Sequence, residues 1–474
     1  MIPNSVRASS FGGEFLEVVT RLRCISARGA WRPRLGRRRV MGPRASSRGA
    51  RRRAALVAYL QMAPAAEVID ACRRCEDPRE NEGAESSSPS HSSSSFGDVA
   101  QDALHRCVTH PIATSHPPTK AYIARLLKLA TIEAERGGQT LNDLLVGHLV
   151  QQTFLKQQPD TDDGWCHKTY AYGELPQGSD TDYDDTADDD VLANRRTVSF
   201  RMHRNLFEGG TGCHEWHAGF YLAELAATHP KIFEGRRVLE LGAGCGLAAT
   251  VMARGGTKAS SHARGCRGVP SRLILTDADA DALVNLTANL AANDVAVGEE
   301  EKDTNTNDDS RTKQNAVHVT TARLDWEDFH EDTLRAYRTD LIVASDVLYD
   351  PLNITPLLNV CGCLLGTDEE SFGDGDNQNH NQNRSHIPGD DESAPAGSWL
   401  DDVANNRRAV FVTTLRQPET LAKFETEATA RGFEPRDVTA DVFDAIGADG
   451  LFESVRGLDR RDMRVHVLRP PRVE

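Results

Sequence analysis

A glycine-rich turn near the middle of the chain has the spacing of a ligand-binding loop. Gly242, Gly244 and Gly246 follow the short apolar run at 238–241, whose third residue is acidic. Glycines allow backbone conformations that other residues avoid, and they let the backbone approach a ligand closely. Dinucleotide-binding turns require a glycine where this sequence has Leu247. Gly-x-Gly-x-Gly after an acidic strand end is instead the pattern of S-adenosylmethionine sites, which makes that molecule the predicted cofactor.

A carboxylate, Asp277, ends the second predicted strand, at 273–275. A carboxylate in this position can accept two hydrogen bonds from the ribose hydroxyls of a nucleoside. The same residue could cap the N-terminus of the helix that follows, and the two roles are compatible. Asp277 therefore adds a predicted ribose contact to the glycine turn.

Two of the five tryptophans lie where an indole could contact the cofactor. Trp326 follows the third predicted strand, at 317–319, and Trp216 precedes the first. An indole can stack on adenine or face a sulfonium cation. For each tryptophan taken alone, packing in the core is an equally good explanation.

A carboxylate and a phenol follow the fourth predicted strand, at 341–344. Ser345 is followed by Asp346 and, three residues later, by Tyr349. Asn-Pro-Pro-Tyr, which enzymes that methylate planar amide or base nitrogens use, is absent. Asp346 and Tyr349 could orient an ammonium group and ease its deprotonation, because a free lysine has a pKa of about 10.4 and must lose a proton before it attacks a methyl carbon. They are the predicted catalytic residues.

Strand and helix patterns alternate from residue 236 onward. Strands are predicted at 238–241, 273–275, 317–319, 341–344, 410–412, about 436–443 and 464–467, with helices at 246–254, 279–293, 354–365 and 418–431. Such alternation implies a parallel sheet with helices on both faces and a ligand site at the carboxyl ends of the strands. The predicted fold class is α/β, a doubly wound, mostly parallel, seven-stranded Rossmann-like sheet preceded by a helical subdomain.

The N-terminal part of the chain differs in composition. Residues 1–53 contain 14 Arg, no Lys and two acidic residues. Residues 84–96 are rich in Ser. An organelle transit peptide, a disordered tail and an upstream extension of the gene model all fit, since Met41 and Met62 offer later starts. The predicted organisation is a disordered region at 1–97, a helical subdomain at 98–156, an acidic linker at 157–196 and a catalytic domain at 197–474 with polar inserts at 298–315 and 366–406.

Charge and cysteine content narrow the class of partner. The net charge is −15 although the N-terminus is basic, so the remainder is strongly acidic. This disfavours nucleic acid and suits a cationic substrate. Ten cysteines without regular spacing indicate reduced intracellular thiols. Cys72-x-x-Cys75 could be half of a zinc site, but no second pair has finger spacing, so no metal is predicted. No apolar run reaches the roughly 18 residues of a membrane span.

From about residue 102 to 470 the sequence resembles the elongation factor 2 lysine methyltransferases, a group within the seven-β-strand protein methyltransferases. The resemblance lies in Thr109-His110-Pro111, Ser115-His116-Pro117-Pro118, Gly209-Gly210-Thr211-Gly212, Trp216-His217-Ala218, Tyr221-Leu222-Ala223-Glu224, Asp346-Val347-Leu348-Tyr349 and Gln417-Pro418-Glu419-Thr420. His217 stands where the family has an acidic residue.

The resemblance implies an enzyme that methylates a lysine of elongation factor 2. It implies cofactor contacts at Trp216, Gly242, Ala243, Gly244, Asp277, Trp326 and Ser345. It also favours the cytoplasm, where that substrate resides, with organelle targeting by the Arg-rich start left open. The alternatives are another protein lysine, a small-molecule acceptor, or a silent binding module. The intact glycines and the Asp346/Tyr349 pair argue against a silent module.

Overall fold

The computed structural model describes residues 48–76, 96–155, 164–174, 191–192, 195–205, 210–255, 268–298, 317–366 and 398–471. These residues belong to one compact unit. The Asp-rich tract at 178–190, most of both predicted inserts and residues 1–47 lie outside the described residues.

Within the described ranges, six helices precede the first strand. They are α1 (Arg48–Leu60), α2 (Ala65–Arg73), α3 (Asp98–Thr109), α4 (Pro111–Ser115), α5 (Lys120–Arg136) and α6 (Asp143–Leu155). Apolar side chains from α1, α2, α3 and α5 share one core, including Leu56, Tyr59, Ile69, Leu104 and Leu126. The helices predicted within 98–156 are therefore present, and two more precede them.

The prediction of disorder for residues 1–97 is wrong for residues 48–76. Arginines dominate the start of α1, but Leu56 and other apolar residues of this helix lie on its buried side. Arg52 is itself buried and pairs with Asp102 of α3 at 3.4 Å. The amino-acid composition of this segment could not reveal the helix, because a few well-spaced apolar side chains are enough to bury one helix face.

Strands β1 (Trp165–Glu174) and β2 (Arg195–His203) pair as an antiparallel ribbon. β1 lies inside the predicted acidic linker at 157–196, so that prediction is wrong for residues 165–174. Tyr170 and Tyr172 of β1 are buried in the main core, and Ala171 between them is buried in the helical core, so both faces of this strand are packed. The neighbouring Asp-rich tract concealed this short pattern.

Among the described residues, the main sheet has seven strands. They are β3 (Arg237–Leu241), β4 (Arg272–Asp277), β5 (His318–Arg323), β6 (Leu341–Ser345), β7 (Arg408–Thr414), β8 (Glu434–Asp437) and β9 (Met463–Arg469). Their order is β5-β4-β3-β6-β7-β9-β8. β3 to β7 are parallel to one another, whereas β9 is antiparallel to both β7 and β8. The order reverses beside β3, which creates a crevice at its carboxyl end.

Both faces of the sheet are buried, as a doubly wound fold requires. Val238 and Val343 belong to the core on one face, and Leu239 and Ile342 to the core on the other. Side chains alternate between the faces of a strand, so strands covered on both sides are continuously apolar. The predicted fold class is confirmed.

The covering helices are α7 (His217–Thr228), α8 (Leu247–Arg254), α9 (Ala280–Ala292), α10 (Glu331–Ala336), α11 (Ile354–Leu365), α12 (Trp399–Asn405), α13 (Pro418–Ala430) and α14 (Thr439–Ile446). Two of them correct the sequence predictions. α14 occupies most of the strand predicted at about 436–443, of which only the start lies in β8. α12 lies inside the insert predicted at 366–406, because Trp399 and Val403 are buried one helical turn apart.

Asn285 and Asn289 of α9, together with Asn293 just after its end, hold β2 against the main domain. The Asn293 side chain accepts a hydrogen bond from Ser199 N at 2.9 Å and donates to Ser199 O at 2.8 Å. Asn289 accepts from Arg201 N at 2.7 Å, and its amide nitrogen donates to Arg201 O and to Cys245 O. Asn285 also donates to Arg201 O. These side-chain amides, spaced four residues apart, form hydrogen bonds with the backbone N–H and C=O groups of β2, as a neighbouring strand would.

Candidate active site

The glycine turn lies between β3 and α8, as predicted. Gly242, Gly244 and Gly246 have φ angles of +65°, +53° and +83°. A Cβ atom at Gly242 would lie 2.9 Å from Cγ1 of Val347, and one at Gly244 would lie 3.3 Å from the carbonyl oxygen of Gly212. Left-handed backbone and close neighbours together require glycine at these positions.

Asp277 is joined directly to this turn. Its Oδ2 accepts a hydrogen bond from Gly244 N at 3.0 Å, and its Oδ1 accepts one from Asp279 N at 3.1 Å. Burial raises the pKa of Asp277 above its usual range. The alternative role, capping α9, belongs to Asp279, whose side chain accepts from Asp281 N and Ala282 N. The turn and the carboxylate predicted to bind ribose thus form one rigid unit.

Glu240, which the sequence indicated only as the acidic residue at a strand end, is a buried carboxyl group. Burial raises its pKa to about 8, with a further contribution from nearby Asp277. Its Oε2 atom has no hydrogen-bond partner among the described residues. A buried acceptor without a partner is costly, and the ammonium of a bound amino-acid moiety would satisfy it. Together with the glycine cradle, this observation fits S-adenosylmethionine.

Residues 210–216, here called the strap, lie against the glycine turn. A Cβ atom at Gly212 would be 2.7 Å from Cβ of Ala282 and 3.8 Å from Cα of Gly244. The indole Nε1 of Trp216 donates to Thr211 O at 3.0 Å, which closes the strap on itself just before α7. The Thr211 side chain lies close enough to Tyr349 to lower the pKa of its phenol, against the effect of burial. The strap therefore brings Trp216 and Tyr349 to the glycine turn.

The remaining predicted cofactor residues lie at the same edge. Trp326 Cζ2 is 3.7 Å from the Cβ position of Gly242. Ala243 N donates to Thr276 O at 2.9 Å. Ser345 Oγ lies 3.7 Å from the Cβ position of Gly219 in α7. The fold brings all seven predicted cofactor residues to the carboxyl ends of β3, β4 and β6; their contact with the cofactor stays a prediction.

Asp346, predicted to orient an ammonium group together with Tyr349, is bound by other parts of the protein. Its carboxylate accepts hydrogen bonds from Ala218 N at 3.3 Å, from Thr414 N at 2.9 Å and from Thr414 Oγ1 at 2.9 Å. Arg416 pairs with both carboxylate oxygens, at 3.3 and 3.1 Å. Asp346 has a φ of +53°, a conformation that non-glycine residues rarely adopt. Asp346 thus links α7, β6 and β7, and Arg416 covers it.

Thr414 and Arg416 were not predicted from the sequence. Both follow the core of β7, so the rule that found the other residues, the carboxyl end of a parallel strand, could also have found these.

Tyr349 is half exposed and lies at the mouth of the site. Burial of its ring raises the pKa of its phenol, so the hydroxyl keeps its proton at neutral pH.

The possible half-site for zinc lies away from this edge. Cys72 and Cys75 are buried free thiols in the helical core, and burial raises the pKa of Cys75 to about 11. Among the described residues, no three His, Cys, Asp or Glu side chains converge as metal ligands would. Within the same residues, no helix combines the length and apolar character needed to cross a membrane.

Comparisons with known proteins agree with the geometry of this site. A family model described as lysine methyltransferase matches residues 195–373. That segment is therefore similar to the lysine methyltransferase family. The protein-lysine N-methyltransferase EEF2KMT of Homo sapiens is 28% identical over 267 residues, which cover 56% of this chain and 67% of that protein. The Bos taurus protein of the same name is 29% identical over 269 residues, covering 56% of this chain and 68% of its own length.

The matched family segment starts at the first residue of β2 and includes the strap, the glycine turn, Asp277 and Asp346. The methyltransferase therefore uses S-adenosylmethionine to methylate lysine in a protein substrate. The resemblance inferred from the sequence motifs is confirmed by these relatives.

Proposed function

We propose that this methyltransferase modifies a lysine of elongation factor 2. The observation that carries the reaction type is the convergence of the glycine turn, Asp277, Asp346 and Tyr349 at one edge of the sheet. The substrate is supported by the motif resemblance and by the relatives named EEF2KMT. We further propose that the enzyme works in the cytoplasm, together with that substrate.

The exposed surface around the site supports a protein acceptor over a small molecule. Tyr349 is 50% exposed and Leu352, three residues later, is 76% exposed. Apolar side chains exposed beside a catalytic edge are typical of a surface that another protein covers. Asp281 after β4 and Glu327 after β5 are also exposed at the carboxyl ends of their strands. These acids suit a basic acceptor region.

The chain's residues have separable roles in the proposed transfer. Bound S-adenosylmethionine supplies an electrophilic methyl group. The glycine turn and Asp277 would hold its nucleoside, and Glu240 would accept from its ammonium. Trp216, Asp346 and Tyr349 form the side of the site where the acceptor nitrogen must arrive. Since a lysine must be neutral to attack, this side has to orient the amine and exclude water while the proton leaves.

The test uses cofactor with a labelled methyl group. The purified full chain is incubated with a lysate of cells that lack the enzyme, and separately with purified elongation factor 2. Label should appear on a lysine of the factor, identified by mass spectrometry, and the rate should fall with added salt. Efficient labelling of a different protein, with none on the factor, would move the enzyme to another lysine substrate.

A further inference from the structure

Arg416 makes two contacts that a substrate cation could make. Its guanidinium group pairs with both oxygens of Asp346, at 3.3 and 3.1 Å. The same group lies over the indole ring of Trp216, with 5.4 Å between Cζ and the ring centroid. A carboxylate and an aromatic face are the two partners that stabilise an ammonium or guanidinium group in a partly dry site.

Asp346 and Trp216 offer one carboxylate and one indole face, for which Arg416 and an acceptor lysine would compete. The Asp346 side chain is 3% exposed, so Arg416 stands between it and the solvent. An acceptor lysine that enters beside Trp216 would therefore meet Arg416 first. The proposal that follows rests on the lysine-directed methyl transfer described above.

We propose that Arg416 occupies the subsite of the acceptor lysine's ammonium group and is displaced when the substrate enters. In the resting enzyme Arg416 keeps the negative charge of Asp346 paired. It therefore competes with the acceptor lysine for this carboxylate. The acceptor lysine then exchanges one cation for another, and no buried charge is left alone, which would be costly.

The local structure allows this exchange. Arg416 is 33% exposed and follows the end of β7, so its long side chain can turn outward. Asp346 stays fixed without it, because Ala218 N, Thr414 N and Thr414 Oγ1 still donate to the carboxylate. Two acceptor positions on the carboxylate then become free for an ammonium group.

The kinetic test compares Arg416→Ala with wild type on intact elongation factor 2. Removal of a competitor should lower the KM for the acceptor about fivefold with kcat maintained, the factor that corresponds to a partly exposed ion pair of about 1 kcal/mol. The matched control is Arg335→Ala, on the surface of α10, where an exposed pair with Glu331 is lost. The control should leave both constants unchanged.

A small cation distinguishes competition from positioning. Methylguanidinium at millimolar concentration should enter the space left in Arg416→Ala and inhibit transfer competitively with the acceptor, without affecting wild type. If Arg416 instead positions Asp346 for the reaction, the variant should lose activity and methylguanidinium should restore it. That rescue would overturn the proposal.

Cation binding can be measured without any protein substrate. The thermal midpoint of Arg416→Ala should rise with n-butylammonium, an analogue of the lysine side chain, whereas wild type should not respond. If wild type fails to methylate elongation factor 2 but the variant binds n-butylammonium, the substrate assignment fails and the Arg416 subsite stands. Absence of n-butylammonium binding to the variant overturns the subsite. Should Arg416→Ala not fold, Arg416→Lys, which keeps the charge but loses the two-pronged pairing, must lower the acceptor KM or the proposal is wrong.

Discussion

The backbone N–H of Gly244 donates a hydrogen bond to Oδ2 of Asp277 across 3.0 Å. This bond joins the turn after β3 to the carboxyl end of β4, two adjacent parallel strands. Two residues 33 positions apart in the sequence thus form one preorganised surface for a nucleoside. Preorganisation lowers the cost of ordering the site when the cofactor binds.

Replacement of Gly244 by valine should abolish cofactor binding. The residue has a φ of +53°, and a Cβ atom would lie 3.3 Å from the strap carbonyl of Gly212, so a branched side chain must displace the turn or the strap. Calorimetry with S-adenosylmethionine measures the loss. Gly362→Ala is the control, because no described atom beyond the glycine's chain neighbours and its own helix backbone lies within 4 Å of its Cβ position; it should bind normally. Unchanged affinity in Gly244→Val would exclude the turn as the binding site.

Glu240 should make stability depend on pH. Its pKa is raised to about 8 in the folded protein, from 4.5 for an ordinary glutamate. The folded state therefore holds this proton more tightly, so the contribution of Glu240 to stability is present below pH 4.5 and is lost as the pH rises through 8. Relative to Glu240→Gln, the free energy of unfolding of wild type should decline across that window, as measured by denaturation without cofactor. A constant difference between the two proteins would show that Glu240 titrates normally.

Asn289→Ala should destabilise the protein by about 2–4 kcal/mol. The change removes the hydrogen bonds that Asn289 makes with Arg201 N and with the buried carbonyl of Cys245, and each buried group left unsatisfied costs about 1–3 kcal/mol. Urea denaturation gives the value. Asn405→Ala, which removes an exposed bond to Asp401 O on α12, should change stability by less than about 0.5 kcal/mol. Equal effects in the two variants would mean that the asparagines of α9 do not hold β2.

Truncation should separate the N-terminal residues into two parts. Removal of residues 1–47 should leave methyl transfer unchanged, since their Arg-rich composition has no apolar periodicity. Removal of residues 1–76 should lower the thermal midpoint strongly, because α1 and α2 supply Leu56, Tyr59 and Ile69 to the helical core. Differential scanning calorimetry and a transfer assay compare the two proteins. An inactive but folded protein lacking residues 1–47 would assign a function to them.

The helical region should help to bind a folded protein substrate. Its deletion would be uninformative, because the same core contains Ala171 of β1. Val146 and Val150 of α6 are instead exposed, one helical turn apart. The double change Val146→Glu and Val150→Glu should lower kcat/KM for intact elongation factor 2 and leave the rate on a short lysine peptide unchanged. Equal kcat/KM values for the intact factor in the variant and wild type would remove α6 from the docking surface.

Several predictions from the sequence depended on local patterns and were correct. The apolar runs of β3, β4 and β6 are continuous because both faces of the sheet are covered, and such runs can be recognised one strand at a time. The rule that parallel strands present their carboxyl ends at one edge then sufficed to gather Gly244, Asp277 and Asp346.

Predictions that relied on composition failed. The arginines of α1 led to a prediction of disorder, and the aspartates near β1 led to a prediction of a linker. Each element nevertheless buries apolar residues. Composition averages over a segment, whereas burial depends on which few side chains face a partner. That partner lies elsewhere in the chain, as Asp102 does for Arg52.

The sequence by itself determined the fold class, the glycine turn and the chemical class of the cofactor, because these depend on residues close together in the chain. Only the tertiary structure decided which groups bind the carboxylate of Asp346. Its partners Ala218, Thr414 and Arg416 come from α7 and from the end of β7, 128 to 68 positions away. A carboxylate's role depends on the donors and charges around it, and folding alone brings those together.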